Sequence, residues 1–234
     1  MSLEQKLAAS ERLLREIAAA HPDAALANSY GAEDMVLTDL IARLGLPLAS
    51  FSLDTGRLPA ETYALMQQVA ERYPSHPVTV YFPDTAATEQ YVNLHGVNGF
   101  YRSVELRKSC CQIRKIAPLK RALAGRSAWI TGLRREQSPT RQDLAAREHD
   151  ADNGLMKFNP LLDWTEAEVW QYLRERDVPY NALHDRHYPS IGCAPCTRAI
   201  SVGEDIRAGR WWWENPETKE CGLHVKASPL TRPA

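Results

Sequence analysis

The chain has 234 residues, of which 44% are hydrophobic and 24% charged, and this composition excludes a wholly disordered protein. Its 28 basic and 29 acidic residues nearly cancel, which argues against an extended nucleic-acid surface. No apolar run reaches the roughly 18 residues that a membrane helix needs, and the N-terminus lacks the pattern of a signal peptide. We therefore expect a cytoplasmic protein without nucleic-acid or membrane partners. Its cysteines are then better read as ligands or nucleophiles than as disulfides.

Helices and strands alternate along the first two thirds of the chain. Apolar spacing, capping residues and Gly or Pro stops predict helices over residues 2–20, 35–44, 59–73 and 104–124. Short apolar runs predict strands over residues 24–29, 48–53, 78–82 and 129–133. This alternation indicates an α/β fold, a parallel twisted sheet with helices on both faces. Ligands bind such sheets at the carboxyl ends of the strands, where the loops 29–34, 54–57 and 134–138 lie.

The last third of the chain does not continue the alternation of helices and strands. One clear helix runs from Thr165 to Arg176, with Thr165 and Glu168 forming a capping box. From Asn181 onward prolines are frequent and periodicity is weak, so we expect irregular structure. We predict a single domain over residues 1–214, followed by a mobile C-terminal tail over residues 215–234.

Four of the five cysteines form two pairs. Cys110 and Cys111 are adjacent, and Cys193 and Cys196 form a Cys-x-x-Cys motif. Two thiol pairs suggest one shared metal centre. Adjacent cysteines suit a single zinc ion poorly, because their side chains diverge, whereas a 4Fe–4S cube spreads its thiolates over four irons. The pattern favours an iron–sulfur cluster, with a zinc site or buried thiols without metal as alternatives.

The fifth cysteine, Cys221, stands alone near the chain end. Lys219 precedes it and His224 follows it, and cationic neighbours lower the pKa of a thiol and increase its thiolate fraction. The pattern fits a nucleophile, but taken alone it fits an inert surface thiol better.

The loop from Ser29 to Asp34 joins a strand to a helix, where backbone N–H groups can bind an oxyanion. An ordinary turn with an acidic helix cap is an equally good reading. Because Glu33 and Asp34 would repel a phosphate, we expect them to cap the helix or to face away from the anion.

Basic residues flank the cysteine pair, follow the fourth strand and precede the tryptophan run, although each one alone could be a solvated surface charge. These residues are Lys108, Arg114, Lys115, Arg134, Arg135, Arg207 and Arg210. Their clustering in a nearly neutral protein suggests a small, highly charged substrate. The run Trp211–Trp213 follows directly, and we expect at least one of its rings in the core.

Together these features resemble one family, the assimilatory adenylylsulfate (APS) reductases, which are thioredoxin-dependent members of the phosphoadenylylsulfate/adenylylsulfate reductases. The resemblance spans about residues 29–224. The segments that carry it are Ser29–Asp34, Leu53–Arg57, Cys110–Cys111 with Lys115, Gly132–Ser138, Ile191–Thr197, Arg207–Glu214 and Glu220–His224. Tyr30 departs slightly from the family, in which we expect phenylalanine or a small residue.

The resemblance implies an oxidoreductase with a fold of the adenine-nucleotide α-hydrolase type. In this family a 4Fe–4S cluster would be held by Cys110, Cys111, Cys193 and Cys196. Cys221 would attack the sulfur of adenylylsulfate, expel AMP and become an S-sulfocysteine, from which thioredoxin (or glutaredoxin) releases sulfite. The activity serves sulfate assimilation toward cysteine, and we expect a homo-oligomer.

The same resemblance implies the residues that bind the substrate. The cations that bind the phosphosulfate group would be Lys115, Arg207, Arg210 and His224. The nucleotide-binding loops would contribute Ser29, Gly31, Leu53, Asp54 and Thr55.

Three other functions are alternatives to this one. A 3′-phosphoadenylylsulfate reductase, or an enzyme of dual specificity, shares the chemistry, but such reductases lack the two cysteine pairs. A tRNA-thiolating or ATP-pyrophosphatase-like enzyme would require a Ser-Gly-Gly-x-Asp-Ser loop, which Ser29–Asp34 does not provide. A zinc-stabilised interaction module would be colourless and would hold one zinc ion per chain.

Overall fold

A computed structural model describes residues 1–137 and 143–215 of the chain. The tail predicted over residues 215–234 lies outside the described residues except for Asn215. Cys221 and His224 belong to this undescribed part, as do residues 138–142 of the loop after the fourth strand.

Helices and strands alternate up to the fourth strand, as predicted. The α-helices of the described part are α1 (Leu3–Ala20), α2 (Ala32–Arg43), α3 (Ala60–Arg72), α4 (Thr85–His95), α5 (Val104–Cys111), α6 (Ala117–Leu123) and α7 (Glu166–Glu175). The strands are β1 (Ala25–Ala27), β2 (Ala49–Leu53), β3 (Val78–Tyr81), β4 (Ala128–Ile130), β5 (Arg147–Asp150) and β6 (Leu155–Phe158).

The six strands of the described residues form one sheet in the order β3-β2-β1-β4-β6-β5. Neighbouring strands are parallel from β3 through β6. Only β5 runs antiparallel to its neighbour β6, because the short connection over residues 151–154 permits a hairpin but not a crossover. The predicted parallel α/β sheet is confirmed, with an antiparallel strand added at one edge.

Apolar side chains fill both faces of the sheet. Leu26 and Ile130 face a large cluster that includes residues of α1, α2, α3 and α7. Their strand neighbours Ala25 and Trp129 point the other way, into a smaller cluster with Leu119 of α6. Helices therefore cover both faces, as the alternating pattern predicts. Among the described helices, none has the length and apolarity needed to cross a membrane.

Three elements, α4, β5 and β6, are missed in the sequence. Strand β6 reads Leu-Met-Lys-Phe, and Lys157 interrupts its short apolar run. Helix α4 exposes most of its residues, so it has little apolar periodicity, although Asp84 caps its start by accepting from the Ala87 N–H at 2.9 Å. Gly96 ends the helix with a φ of 76°. Strand β5 reads Arg-Glu-His-Asp and lies at the sheet edge, so its sequence lacks the apolar alternation of a strand.

The helix predicted over residues 104–124 is present but contains one wide turn. Residues Gln112–Ile116 form a π-helix, in which the Ala117 N–H donates to the Gln112 carbonyl. Pro118 follows at the start of α6 and would clash with the carbonyl four residues earlier in a regular α-helix. The wide turn directly follows the cysteine pair and contains Lys115.

The segment from Asn181 to Asn215 is irregular, as predicted. It contains two short 3₁₀ turns, Ala182–Arg186 and Ala194–Cys196. An isolated antiparallel bridge joins Thr197 to Arg210 and so brings the end of this segment back to the Cys-x-x-Cys motif.

Candidate active site

A cavity of about 320 Å³ opens at the carboxyl ends of the parallel strands. The residues that follow β1, β2 and β4 all contribute to its wall, as the alternation of strands and helices predicts. The predicted substrate-binding residues that line it are Ser29, Gly31, Leu53, Thr55, Lys115, Arg207 and Arg210. Its size falls within the range of small-molecule sites.

Hydrogen bonds hold the loop after β1 in a fixed shape. Tyr30 adopts a left-handed φ of 61°, and its N–H donates to Asn28 Oδ1 at 2.7 Å. Its ring is 3% exposed and packs in the core, so the departure from the family at this position changes the core rather than the cavity. Gly31 caps α2 without a side chain that could cover the first N–H groups of the helix.

The two acidic residues of this loop are held by neighbouring protein groups. Asp34 Oδ2 accepts from the Ser29 N–H at 2.7 Å and from the Ser29 hydroxyl at 2.6 Å. Glu33 Oε1 accepts from Arg134 Nε at 2.8 Å. Asp34 therefore shapes the loop, and Glu33 is neutralised by Arg134, although both residues remain in the cavity wall.

Burial raises the pKa of Asp34 to about 6, although hydrogen bonds from Ser29 and Gly132 favour its charged form and lower the pKa. Because the folded-state pKa lies above the ordinary value of 3.8, this carboxyl lowers folding stability as the pH rises from about 4 to about 6. The change amounts to about 3 kcal/mol at most. Asp34→Asn should not show this loss, as urea unfolding of both proteins between pH 4 and pH 8 will test. If the free energy of unfolding changed with pH in the same way in both proteins, Asp34 would not be the group that causes the loss.

The loop after β2 connects this cavity to the cysteines. Asp54 does not line the cavity; it holds the turn by accepting from the Gly56 N–H at 2.7 Å and from the Tyr63 hydroxyl at 2.9 Å. Thr55 lines the cavity, and its Oγ1 lies 3.2 Å from Cys193 Sγ. The Ala194 N–H donates to the Arg57 carbonyl at 2.8 Å, which fixes the Cys-x-x-Cys motif against this loop.

Three predicted cations approach the cavity from different parts of the chain. Lys115 belongs to the π turn, whereas Arg207 and Arg210 belong to the irregular segment. The Arg210 guanidinium donates to the Ile191 carbonyl at 3.2 Å and lies 4.8 Å from the centre of the Trp211 ring. The cavity wall therefore carries a concentration of positive charge that suits an anionic ligand.

The cysteines of the two sequence motifs, Cys110 with Cys111 and Cys193 with Cys196, all line a second, smaller cavity. Cys110 and Cys111 end α5, while Cys193 and Cys196 flank a 3₁₀ turn. None of these four forms a disulfide within the described part of the chain. The predicted pairs are thus brought together, although no three Cys, His, Asp or Glu side chains of the described residues converge as ligands of one metal ion.

The surroundings of the thiols are buried and cationic. Burial raises the pKa of Cys110, and burial together with Cys193 raises the pKa of Cys196 to about 12. Other groups in the wall of this cavity include Arg107, Arg114, Lys115, Arg210 and Trp211. The indole N–H of Trp211 is buried and has no hydrogen-bond partner among the described residues. Thiol donors, cations and an unpaired indole donor together fit an anionic metal–sulfur group in this cavity.

The two cavities share a wall. Lys115, Arg210 and Trp211 line both of them, so a group held by the cysteines would lie next to the anion-binding cations. Trp211 is 1% exposed, which confirms that one ring of the tryptophan run belongs to the core.

One candidate residue was missed in the sequence. His184 lines the larger cavity, and its Nε2 is buried without a hydrogen-bond partner in the described part of the chain. Burial lowers its pKa, which favours a neutral ring at neutral pH. A lone histidine in an irregular segment gives no sequence signal for such a role.

Comparison with known proteins identifies relatives along nearly the whole chain. Residues 23–199 match the phosphoadenosine phosphosulfate reductase domain. The adenosine 5′-phosphosulfate reductase of Allochromatium vinosum is 58% identical over 233 residues, covering 100% of this chain and 91% of the relative. The protein of the same name from Burkholderia cepacia is 55% identical, covering 95% of this chain and 89% of the relative.

Solved structures confirm the predicted fold class. The phosphoadenylyl-sulfate reductase of Candida auris, solved as a phosphate complex, has a TM-score of 0.71 and 28% identity, covering 82% of this chain and 90% of that one. The FMN adenylyltransferase of Candida glabrata, solved with FAD and pyrophosphate, has a TM-score of 0.58 and 15% identity, covering 93% and 77%. The second likeness concerns the fold alone.

Proposed function

The chain belongs to the phosphoadenosine phosphosulfate reductase domain family, and we propose that it reduces adenylylsulfate to sulfite and AMP with Cys221 as the nucleophile. The observation that carries the proposal is the larger cavity, where Lys115, Arg207 and Arg210 line a wall built from three strand-end loops. The 58% identity to an adenosine 5′-phosphosulfate reductase supports the choice of substrate.

The reaction consists of the sulfonation of Cys221 followed by two thiol-exchange steps. The Cys221 thiolate attacks the sulfur of adenylylsulfate, so an S–S bond forms and the S–O bond to the phosphate breaks. AMP leaves with that electron pair, and Cys221 becomes an S-sulfocysteine. A thiolate of reduced thioredoxin (or glutaredoxin) then attacks the cysteine sulfur and releases sulfite. A second thiol of the reductant resolves the mixed disulfide and restores Cys221, so the dithiol supplies both electrons.

The cations are needed because a thiolate must approach an anionic substrate. The sulfonate and phosphate of adenylylsulfate both carry negative charge, which repels a thiolate unless basic side chains neutralise it. Lys115, Arg207 and Arg210 supply this charge, and we assign the same role to His224, three residues after Cys221. Ser29, Gly31, Leu53 and Thr55 bind the nucleotide, and Asp54 holds the loop between the last two.

The four clustered cysteines fit a 4Fe–4S cluster better than one zinc ion. Cys110 and Cys111 are neighbours on one helix end, a spacing that a cube accommodates by using different corners. When bound, such a cluster supplies a fixed local charge beside the substrate cations, while the electrons come from thiols. Lys115 and Arg210 line both cavities and so position the substrate relative to this centre.

Two further properties belong to the same proposal. The absence of a disulfide among the four described cysteines fits a reducing cytoplasm, where we place the enzyme. We also expect it to be a homo-oligomer, which sedimentation of the purified protein will test.

The test of substrate choice compares two nucleotides. Anaerobically purified enzyme with reduced thioredoxin should release sulfite from adenylylsulfate with a kcat/KM at least about 100-fold above that for 3′-phosphoadenylylsulfate. The likeness to the Candida auris enzyme makes the second nucleotide the competing substrate. Equal values would show dual specificity, and a preference for the 3′-phosphorylated nucleotide would overturn the assignment.

Gly192 offers a test of Arg210 that leaves its charge unchanged. A Cβ atom at this position would lie 2.7 Å from Arg210 Cζ, so Gly192→Ala must displace the guanidinium. Because in-line attack depends on placement, we expect kcat/KM to fall by roughly 10- to 100-fold. The clash is at the end of a flexible side chain, so the urea midpoint should change little. An unchanged kcat/KM would show that Arg210 is not needed in this position, and Arg210→Lys serves as the comparison.

A further inference from the structure

A buried ion pair connects the helix that carries the cysteine pair to the last described turn of the chain. Arg107 Nε donates to Glu214 Oε1 at 2.9 Å, and Arg107 Nη2 donates to Glu214 Oε2 at 2.8 Å. Their side chains are 1% and 3% exposed. Arg107 lies three residues before Cys110, and Glu214 lies seven residues before Cys221. The pair therefore connects the segment of the cysteine centre to the segment that leads to the nucleophile.

Trp211 lies against the same arginine. The Arg107 Cζ is 4.7 Å from the centre of the Trp211 ring, and Arg210 Cζ is 4.8 Å from it. The Trp211 N–H donates to the Cys196 carbonyl at 3.1 Å, and the Glu214 N–H donates to the Trp211 carbonyl at 2.9 Å. A single turn thus joins Arg107, the Cys-x-x-Cys motif and the substrate-binding Arg210.

This turn needs external support. Trp211 has a φ of 43°, a left-handed conformation that is unfavourable for a bulky side chain. Such a conformation persists only where surrounding contacts impose it. A buried ion pair is a weak source of stability, because both charges lose their hydration, but it fixes geometry through two parallel hydrogen bonds. The Arg107–Glu214 pair is therefore better suited to fixing the position of this turn than to stabilising the fold.

We propose that Arg107 and Glu214 are positioning residues for the sulfonation of Cys221. The pair fixes the start of the segment that carries the nucleophile, and it holds Trp211 and Arg210 at the wall between the two cavities. This inference rests on the proposed function, because it concerns the rate at which Cys221 attacks adenylylsulfate. Neither residue needs to contact the substrate.

Glu214→Gln is the direct test, because it keeps the shape of the side chain and the charge of Arg107. We expect single-turnover formation of the Cys221 sulfonate, followed by mass spectrometry, to slow at least about tenfold. Iron content and the Kd for AMP should stay within about twofold of the wild type. In steady state kcat should fall while KM changes little. These combined readouts separate placement from a general loss of structure.

Glu204→Gln is the matched control. Arg198 also binds Glu204 through two hydrogen bonds, at 2.9 and 2.8 Å, but those side chains are 37% and 34% exposed. This variant should sulfonate Cys221 at the wild-type rate. If Glu214→Gln does the same, the positioning role is wrong. If wild-type protein forms no adduct on Cys221, the proposed function fails instead.

A double variant covers the case in which Glu214→Gln does not fold. Arg107→Met with Glu214→Gln removes both charges, so no unpaired buried charge remains. Slow sulfonation with normal iron content in this variant supports positioning. Recovery of the wild-type rate would overturn the inference, because it would show that the pair is needed only for stability.

Discussion

Replacing Cys221 with serine should abolish the sulfonate adduct and reduce sulfite release at least about a thousandfold. A serine hydroxyl is not ionised at neutral pH, whereas the thiolate is the attacking species of cysteine. Lys115, Arg207 and Arg210 line the cavity independently of Cys221, so AMP should bind the variant with a Kd close to that of the wild type. Mass spectrometry after mixing with adenylylsulfate measures the adduct directly.

The outcome also decides where the nucleophile lies. Wild-type protein should gain one sulfonate per chain, and peptide mapping should place it on Cys221. An adduct that survives in Cys221→Ser would assign the attack to another thiol, and the proposed mechanism would then need a different sulfonate acceptor. Iron content serves as the control, because this substitution leaves the four clustered cysteines intact.

Much of the fold follows from the sequence because the first four strands are short apolar runs that alternate with helical segments. Leu26 and Ala25 belong to opposite faces of the sheet, and both are apolar, which is typical of a strand buried on both sides. Strand β5 and helix α4 were missed because exposed elements lack this apolar pattern. The π turn was also missed, because its cause is the combination of Pro118 with a continuing helix.

The residues that line the cavities could be predicted from the sequence, whereas the residues that hold them in place could not. Thiols and basic residues carry their chemistry in their type, so Cys193 or Arg210 could be singled out by sequence and resemblance. The resemblance assigns Asp54 to a nucleotide-binding loop, and the structure shows the contact by which its carboxylate holds the turn of that loop. The Arg107–Glu214 pair spans more than a hundred positions and depends on two separate segments meeting. Such pairs are set by tertiary packing and leave no local pattern.

Replacing Cys193 with serine should remove the iron and with it nearly all activity. This thiol is 9% exposed, lines the smaller cavity with its three partners and lies 3.2 Å from Thr55 Oγ1. A serine hydroxyl is a poorer ligand than a thiolate for the soft metal–sulfur group proposed here. We expect iron per chain and absorbance near 400 nm to fall to background, and sulfite release to fall at least about a hundredfold. AMP should still bind, because the loops after β1 and β4 do not depend on Cys193.

Cys221→Ser is the matched control for this experiment, since the same exchange at the fifth cysteine should leave the iron in place. A Cys193→Ser protein with full iron and full activity would remove Cys193 from the ligand set. Wild-type protein that is colourless and holds one zinc ion per chain would instead support the single-ion alternative. Because the two substitutions separate iron content from adduct formation, they test whether four of the thiols hold the centre while the fifth performs the chemistry.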